Sequence, residues 1–221
     1  MKKLFIIFLV LLMVLSLGAC AGNSQSSKDN TSDTVIDTDA KKQEVEETAE
    51  AGETADGAKV LVAYFSATNT TEGVAKNLAD GIGADLCEIL PKEPYTDADL
   101  DYNDNNSRTT IEMNDPDARP GISGSVENME QYDVIFLGYP IWWGEAPRII
   151  NTFVESYDFS GKTIVPFCTS GGSGMGSSAT NLYFAADDAT WLDGQKFSGS
   201  ASVDELVEWA NSLGLDISVE K

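Results

Sequence analysis

The chain has 221 residues, and its 36 Asp and Glu against 14 Lys and Arg give a formal net charge of −22 at pH 7. So acidic a chain is a poor partner for nucleic acid or for an anionic lipid surface. It contains no histidine, which excludes a Ser-His-Asp hydrolase and a histidine-built zinc site, and we expect no metal. An organic cofactor is the natural source of chemistry.

The N-terminal region predicts export and lipid attachment. Lys2 and Lys3 precede an apolar run, and Leu17-Gly18-Ala19-Cys20 ends it. This ending resembles the lipobox of bacterial lipoproteins, which implies a signal peptide at residues 1–20 and a lipid on Cys20. The alternative is a transmembrane anchor, but an apolar run of about twelve residues is short of the ~20 that span a bilayer. We therefore expect an anchored protein at the extracytoplasmic face of the cell membrane.

Residues 21–57 predict a disordered acidic tether. The segment has no aromatic residue, and it carries ten Asp or Glu against three Lys. Such a composition buries too little apolar surface to fold. Residues 58–221 remain, a length that suits one domain with one core.

Strands and helices alternate in the domain. In chain order, the apolar patterns predict strand 59–65, helix 74–82 ended by Gly83, strand 84–90, a short helix at 108–114, strand 133–139, helix 148–157, strand 163–168, a weaker helix 176–186, strand 190–197 and helix 203–213. This alternation predicts an α/β domain with a largely parallel five-stranded sheet. Pro166 has no N–H to donate, so we expect a local irregularity there or a position that faces no neighbour. Residues 91–130 lack periodicity, as functional or disordered loops do.

Polar residues follow the first predicted strand and lead directly into a helix. The loop Ser66-Ala67-Thr68-Asn69-Thr70-Thr71 offers four hydroxyls, one amide and the first N–H groups of that helix. Together they can hold a phosphate without a Lys or an Arg. The alternative is a hydroxyl-rich helix cap with no ligand.

Two more loops follow predicted strands at the same edge of the sheet, where open α/β sheets bind ligands. Residues 139–147 contain the adjacent Trp142 and Trp143, whose flat rigid surfaces suit an aromatic ligand, although either ring can instead fill core space. Residues 169–176 are small, so their backbone can approach a ligand and donate N–H groups.

Four segments resemble, in order, the bacterial flavodoxin-like family: VLVAYFSATNTTEGVAKNLAD, YDVIFLGYPIWWGEAPRIINTF, FSGKTIVPFCTSGGSGMGSS and WLDGQKFSGSAS. The resemblance covers residues 59–213 and implies a doubly wound parallel sheet of order 2-1-3-4-5 that binds FMN non-covalently. It implies an FMN phosphate held by Ser66, Thr68, Asn69, Thr70 and Thr71, an isoalloxazine beside Pro140, Ile141, Trp142, Trp143 and Gly144, and a second ring edge along Thr169, Ser170, Gly171, Gly172, Ser173 and Gly174.

The chain departs from the family pattern at two places. Asn69 stands where the common first loop has Gly, and Asn adopts left-handed backbone more readily than most residues. The loop 169–176 lacks the tyrosine that many flavodoxins stack on the flavin. Tyr95 or Tyr102, in the long insertion formed by residues 91–130, is the candidate for that surface.

The resemblance implies electron transfer through FMN, and the lipobox implies that it takes place at the cell envelope, with membrane contact through the lipid alone. The acidic charge suits a redox partner protein with a basic surface, and the alternative is that the charge serves solubility alone. One alternative is an FMN-dependent NAD(P)H:quinone-type oxidoreductase, although the sequence shows no basic phosphate clamp. The other is a flavin-free lipoprotein binding module. Cys87 and Cys168 would lie three strand spacings apart, about 14 Å at ~4.8 Å each, so we expect both to stay unpaired thiols.

Overall fold

A computed structural model describes residues 57–217, so the predicted signal peptide, Cys20 and the tether up to residue 56 lie outside the described residues. The elements are β1 (Val60–Tyr64), α1 (Thr70–Ile82), β2 (Asp85–Glu88), β3 (Leu90–Pro91), α2 (Arg108–Asn114), β4 (Ile122–Ser123), β5 (Val134–Pro140), α3 (Arg148–Glu155), β6 (Thr163–Thr169), β7 (Thr190–Trp191), β8 (Gln195–Phe197) and α4 (Val203–Ser212). Short 3-10 helices lie at Met129–Gln131 and Thr180–Ala185. Within 57–217, no helix is both long and apolar enough to cross a bilayer.

The main sheet is parallel and has the order β2-β1-β5-β6-β7, with β8 also paired to β6. Since β5 and β6 are its third and fourth strands, and β7 with β8 forms the fifth, the predicted α/β fold with order 2-1-3-4-5 is confirmed. A second small sheet pairs β3 with β4 in antiparallel fashion. The sequence did not predict this pair, because two-residue strands carry no readable period.

The fifth strand is divided opposite Pro166, so the single strand predicted at 190–197 is wrong. β6 pairs with β7 as far as Ile164 and with β8 from Phe167 onwards. The outer strand, formed by β7 and β8, has one residue more than β6 between these two pairings, because it passes from Trp191 to Gln195. Thr163 donates its N–H towards β5, and N–H directions alternate along a strand, so the nitrogen of Pro166 faces the outer strand. The missing N–H donor of Pro166 therefore coincides with a bulge in the outer strand, which is the local irregularity predicted there.

Apolar side chains cover the main sheet on both faces. On one face, Val62 and Phe136 pack with residues of α1 and α4; on the other, Leu61 and Ile135 pack with residues of α3. All five residues of β1 are buried, which explains why its sequence is continuously apolar rather than alternating. Two covered faces leave the carboxyl ends of the strands as the place where loops can form a site.

The helix predicted at 176–186 is reduced to the 3-10 turn Thr180–Ala185, because Gly176 adopts a positive φ of 55° and the Ser- and Gly-rich stretch has poor helix propensity. The prediction that Cys87 and Cys168 do not pair with each other is confirmed, since within residues 57–217 both are free. Two strands, β1 and β5, separate them.

Candidate functional site

The three loops predicted from the sequence meet at one edge of the sheet. They follow β1, β5 and β6, which are adjacent and parallel, so their carboxyl ends lie side by side. The buried hydroxyls of Thr71 and Thr169 form a hydrogen bond of 2.8 Å, and the N–H of Ile141 donates to the carbonyl of Thr169 at 2.9 Å. These two contacts fix the loops relative to one another.

The start of α1 carries no side-chain cap. Asn69, the residue before the helix, has φ 62° and ψ 2°, the left-handed conformation that Asn adopts more readily than most residues. Its side chain makes no capping hydrogen bond. The hydroxyls of Thr68 and Thr70 lie 3.4 Å from each other rather than on the helix N–H groups. The hydroxyls therefore do not cap α1, and its first N–H groups have no partner within the helix. This disfavours the alternative of a simple helix cap.

Two adjoining recesses open beside this helix start. The first, which we call the threonine recess, has a volume of about 260 Å³ and is lined by Thr68, Thr70, Pro140, Ile141, Trp142, Thr169, Ser170, Gly171 and Gly199. The second, the aromatic recess, has a volume of about 410 Å³ and is lined by Ser66, Ala67, Thr68, Leu100, Tyr102, Thr109, Pro140, Ile141, Trp142 and Trp143. They share Thr68 and Pro140–Trp142 as a common wall.

Ten of the sixteen residues predicted to bind the cofactor line one of these recesses. Of the others, Asn69 forms the left-handed turn, Thr71 is buried beneath it, and Gly144, with φ 84°, is at the tip of its loop. Gly172, Ser173 and Gly174 continue the loop after β6, where the hydroxyl of Ser170 accepts the N–H groups of Gly172 and Ser173 at 3.3 and 3.1 Å.

The glycines of that loop border open space. A Cβ added to Gly171, Gly172 or Gly174 would meet no atom within 4 Å. Their small size therefore serves no internal packing, and it leaves their backbone accessible to a ligand.

The sequence did not reveal Leu100, Thr109 and Gly199 as lining residues. Leu100 and Thr109 belong to residues 91–130, where the sequence predicted the short helix 108–114 but gave no signal for lining residues. Gly199 follows the fifth strand, so its place at the same sheet edge was the available signal. A Cβ at Gly199 would lie 2.6 Å from Cγ2 of Thr70, so glycine is needed there for the threonine recess to keep its shape.

Trp142 is held by two other rings behind the common wall. Its ring centroid lies 5.4 Å from that of Phe65 and 5.3 Å from that of Tyr95, both in edge-on geometry. The hydroxyl of Tyr95 donates to Glu112 at 2.7 Å, and the guanidinium of Arg108 lies 4.0 Å from the centre of the Tyr95 ring. Burial, followed by the hydrogen bond to the Glu112 carboxylate, raises the pKa of Tyr95. Tyr95 is thus a packed support.

Tyr102 and Trp143 are the exposed rings of the aromatic recess. Tyr102 is 74% exposed and Trp143 is 46% exposed. Trp142 and Glu145 exchange backbone hydrogen bonds across a tight turn whose tip is Trp143 and Gly144, with φ 49° and 84°. A tryptophan at positive φ is strained, and such strain is concentrated at functional positions. Of the two tyrosines that were candidates for stacking, Tyr102 lies on a recess and Tyr95 does not.

Comparison with known proteins agrees with this geometry. A family model described as Flavodoxin matches residues 59–213. A protein from Bacteroides eggerthii, named as a flavoprotein, is 49% identical with a TM-score of 0.68, and the alignment covers 72% of this chain and 99% of that one. One from Bacteroides uniformis, also so named, is 43% identical with a TM-score of 0.67, covering 71% and 99%.

A flavoprotein from Lactobacillus acidophilus, crystallised in complex with FMN, is 22% identical with a TM-score of 0.53, covering 69% of this chain and 99% of that one, which shows a shared fold. No protein of curated description matches the sequence significantly. The family match covers most of the chain, and two relatives above 40% identity align over nearly their whole length. The chain therefore belongs to the flavodoxin family.

Proposed function

We propose that the protein binds FMN non-covalently and transfers electrons at the extracytoplasmic face of the cell membrane, anchored there by a lipid on Cys20. One observation carries the proposal: the uncapped start of α1 lies beside threonine hydroxyls and a recess walled by Pro140–Trp142. This arrangement matches a molecule with an anionic phosphate at one end and an aromatic ring at the other.

The phosphate would lie at the start of α1. Free N–H groups and the helix dipole attract an anion there, and Thr68 and Thr70 add hydroxyl donors from the lining of the threonine recess. The left-handed turn at Asn69 lets the chain enter the helix without occupying those N–H groups. Membership of the flavodoxin family, and the FMN held by the Lactobacillus acidophilus protein of the same fold, support FMN as the molecule bound.

The ring would lie against Pro140–Trp142, with Ser170 and Gly171 along its other edge. FMN itself supplies the redox chemistry when bound, and the protein positions it. The described cysteines do not compete with it. Burial raises the pKa of Cys168 to about 11 and also raises that of Cys87, so both stay as protonated thiols near pH 7, on separated strands.

The charges around the site favour a partner other than a nicotinamide dinucleotide. Within residues 57–217, no Lys or Arg lines either recess. The arginines pair elsewhere: Arg108 with Glu112, Arg119 with Glu155, and Arg148 with Glu145. A dinucleotide carries at least two phosphate charges, and neither recess offers the charged hydrogen bonds that a Lys or Arg would make to them. An electron-transfer protein with a basic surface suits the acidic domain better.

The location is proposed from the lipobox ending in Cys20 and the acidic residues that follow it. A Cys20→Ser variant should leave the membrane fraction, because the thiol that accepts the lipid is gone. A variant that stays in the membrane after a carbonate wash would contradict lipid anchoring.

FMN binding is tested with a fragment of residues 51–221. Its described residues, 57–217, belong to one compact unit, and two relatives that correspond to this region over 99% of their length were crystallised. We expect the purified fragment to be yellow, or to become so when mixed with FMN, with the released flavin identified as FMN by chromatography. A colourless fragment that does not bind added FMN would disprove the proposal.

A further inference from the structure

We propose that the outer border of β2 is a docking site for an extended, basic segment of a partner protein, which adds to the main sheet as a further strand. The residues that line this border are distinct from those that line the two recesses of the flavin site. The inference therefore goes beyond the proposed function and does not depend on FMN binding.

The backbone of β2 has groups that face away from the sheet. Among the described residues, β2 pairs with β1 alone and forms one border of the main sheet. Ile89 donates its N–H to the carbonyl of Tyr64 in β1 at 2.6 Å. Because backbone groups alternate in direction along a strand, Cys87 also faces β1, whereas Leu86 and Glu88 direct their N–H and carbonyl groups outward. Within residues 57–217, these outward groups have no neighbouring strand to pair with.

A neighbouring strand is present only farther along the chain. β2 leads through Ile89 into β3, and β3 pairs with β4. Lys92 donates its N–H to the carbonyl of Gly121 at 2.7 Å, so this part of the chain is paired on the side away from β1. The chain leaves β4 through Gly124, which has a φ of 80°, and it forms no ladder with β2. The place of a strand beside β2 is therefore vacant.

A groove lies along this vacant place. Two adjoining openings, of about 420 and 110 Å³, share Cys87, Ser125 and Val126, and both are lined by residues of β2 and of the segment that follows β4. We call them together the β2 groove. Its far wall is held in place, because the N–H of Val126 donates to the hydroxyl of Tyr157 at 2.7 Å. An unpaired strand beside a groove is the arrangement that binds extended peptides by strand addition.

The charge of the β2 groove selects the partner. Its charged lining residues are Asp85, Glu88 and Glu127, and no Lys or Arg of the described chain lines it. Lys59 lies near one of them, with Nζ 3.8 Å from Oδ2 of Asp85, so at least two carboxylates lack a lysine partner in the groove. Opposite charges across paired strands are stabilising, and like charges are destabilising. Lysine or arginine side chains on the added strand are therefore favoured.

The same charges disfavour two other occupants. The segment 21–57 of this chain carries ten Asp or Glu against three Lys, so it is repelled by the groove. A second copy of the domain would bring the same three carboxylates to this border, which is also repulsive. A basic segment of another protein is the occupant that remains.

The two faces of β2 define the segment further. Leu86 pairs with Val62, which belongs to the core beneath α1, and Leu86 is 41% exposed. Asp85 pairs with Leu61 and lies on the opposite face. Because side chains alternate between the faces of a strand, neighbouring residues of the segment would meet an apolar surface at Leu86 and carboxylates at Asp85 and Glu127. A segment that alternates apolar and basic residues therefore fits.

The test uses a blocked hexapeptide of alternating lysine and valine, titrated by calorimetry into the full chain. We expect saturable binding at one site. The same peptide with glutamate in place of lysine should bind at least about tenfold more weakly. Glu127→Lys should lower the affinity for the lysine peptide about three- to tenfold, because an attraction becomes a repulsion.

Glu130→Lys is the matched control. Glu130 is also an exposed glutamate of the same region, and its replacement changes the net charge equally, but it does not line the β2 groove. The affinity for the lysine peptide should change less than about twofold in this variant.

Amide hydrogen exchange, followed by NMR, reports whether a strand is added. In the free protein, the N–H groups of Leu86 and Glu88 should exchange faster than that of Cys87, which faces β1. The lysine peptide should slow the exchange of Leu86 and Glu88, because their N–H groups then donate to the peptide.

Several results would overturn the proposal. These are no binding of the lysine peptide, equal binding of the glutamate peptide, equal losses in Glu127→Lys and Glu130→Lys, or binding that leaves the exchange of Leu86 and Glu88 unchanged. Dimers that the peptide dissociates would assign the border to a second copy instead. A protein that binds the lysine peptide as expected but binds no FMN would overturn the proposed function and leave this proposal standing.

Discussion

The helices α1 and α4 both follow hydroxyl-bearing residues, but their N-termini differ. At α4, the hydroxyl of Ser202 accepts the N–H of Glu205 at 3.2 Å, and Asp204 and Glu205 lie in the first turn. This side-chain cap, together with the two acidic residues, stabilises the helix without a ligand. At α1, the preceding residue is the left-handed Asn69, and no side chain caps the helix.

The difference shows that hydroxyls before a helix do not by themselves reveal their use. The backbone of the preceding residue decides it. Ser202 is extended, with φ −78° and ψ 160°, which directs its side chain to the helix N–H groups. Asn69, with φ 62°, turns the chain so that those groups stay open. The N-terminus of α4 is capped by a side chain of the protein, whereas the N-terminus of α1 leaves N–H donors for an anion.

Substitution of Asn69 should have the largest effect on FMN affinity. Asn69→Val places a β-branched residue at positive φ, which costs about 1–3 kcal/mol or moves the loop out of shape. We expect FMN affinity to fall by roughly a hundredfold, measured by quenching of flavin fluorescence. Asn69→Gly, which adopts the same backbone freely, is the control and should stay within about threefold of wild type. Equal affinities for Val and Gly would show that the left-handed turn is unimportant.

Thr68→Ala should have the next largest effect. Loss of a hydrogen bond to a charged group is worth ~1.5 to 3 kcal/mol, so FMN affinity should fall at least tenfold. Riboflavin, which lacks the phosphate, should bind as before. Thr71→Ala is less clean, because it also removes the partner of the buried Thr169 hydroxyl. If Thr68→Ala weakens both flavins equally, its hydroxyl does not serve the phosphate.

Ser202→Ala tests the contribution of the side-chain cap of α4. Losing the cap of α4 should lower the free energy of unfolding by about 1 kcal/mol, seen as a shift in the urea midpoint with an unchanged slope. FMN affinity should not change, since Ser202 lines neither recess. Weakened FMN binding in a folded Ser202→Ala protein would mean that the two helix starts are coupled.

Inorganic phosphate should give the smallest effect. If α1 offers an anion site, phosphate at a concentration equal to its Kd stabilises the apo protein by about 0.4 kcal/mol, measurable as a rise in Tm. Phosphate should compete with FMN but not with riboflavin. Sodium chloride at matched ionic strength is the control, and an equal rise in Tm with either salt would exclude a specific site at α1.

Much of this fold was readable from the sequence, because its main elements have strong patterns. The apolar run of β1 implies burial on both faces, and the end of α1 was marked by Gly83, which has the left-handed φ of 67°. Asn69 was recognised as tolerant of left-handed backbone, and the structure places it there. The short helix Arg108–Asn114 was also predicted with its observed bounds.

The rest depends on contacts that no local pattern records. The roles of Tyr95 and Tyr102 differ because Arg108 and Glu112 hold only Tyr95, and neither pairing has a helical or strand period. The small β3–β4 sheet and the place of Leu100 on the aromatic recess arise from the same insertion. Thr71 looked like a surface donor, and its burial follows from the meeting of two loops that are 98 residues apart.

The divided fifth strand has a consequence for how copies of the protein meet. It forms one border of the main sheet, and a long straight border strand is a template for pairing with a second chain. Here β7 and β8 have two and three residues and are separated by a bulge. An incoming strand would find no continuous ladder to extend. If lipid anchoring concentrates copies on a membrane, this interrupted border discourages them from joining sheet to sheet.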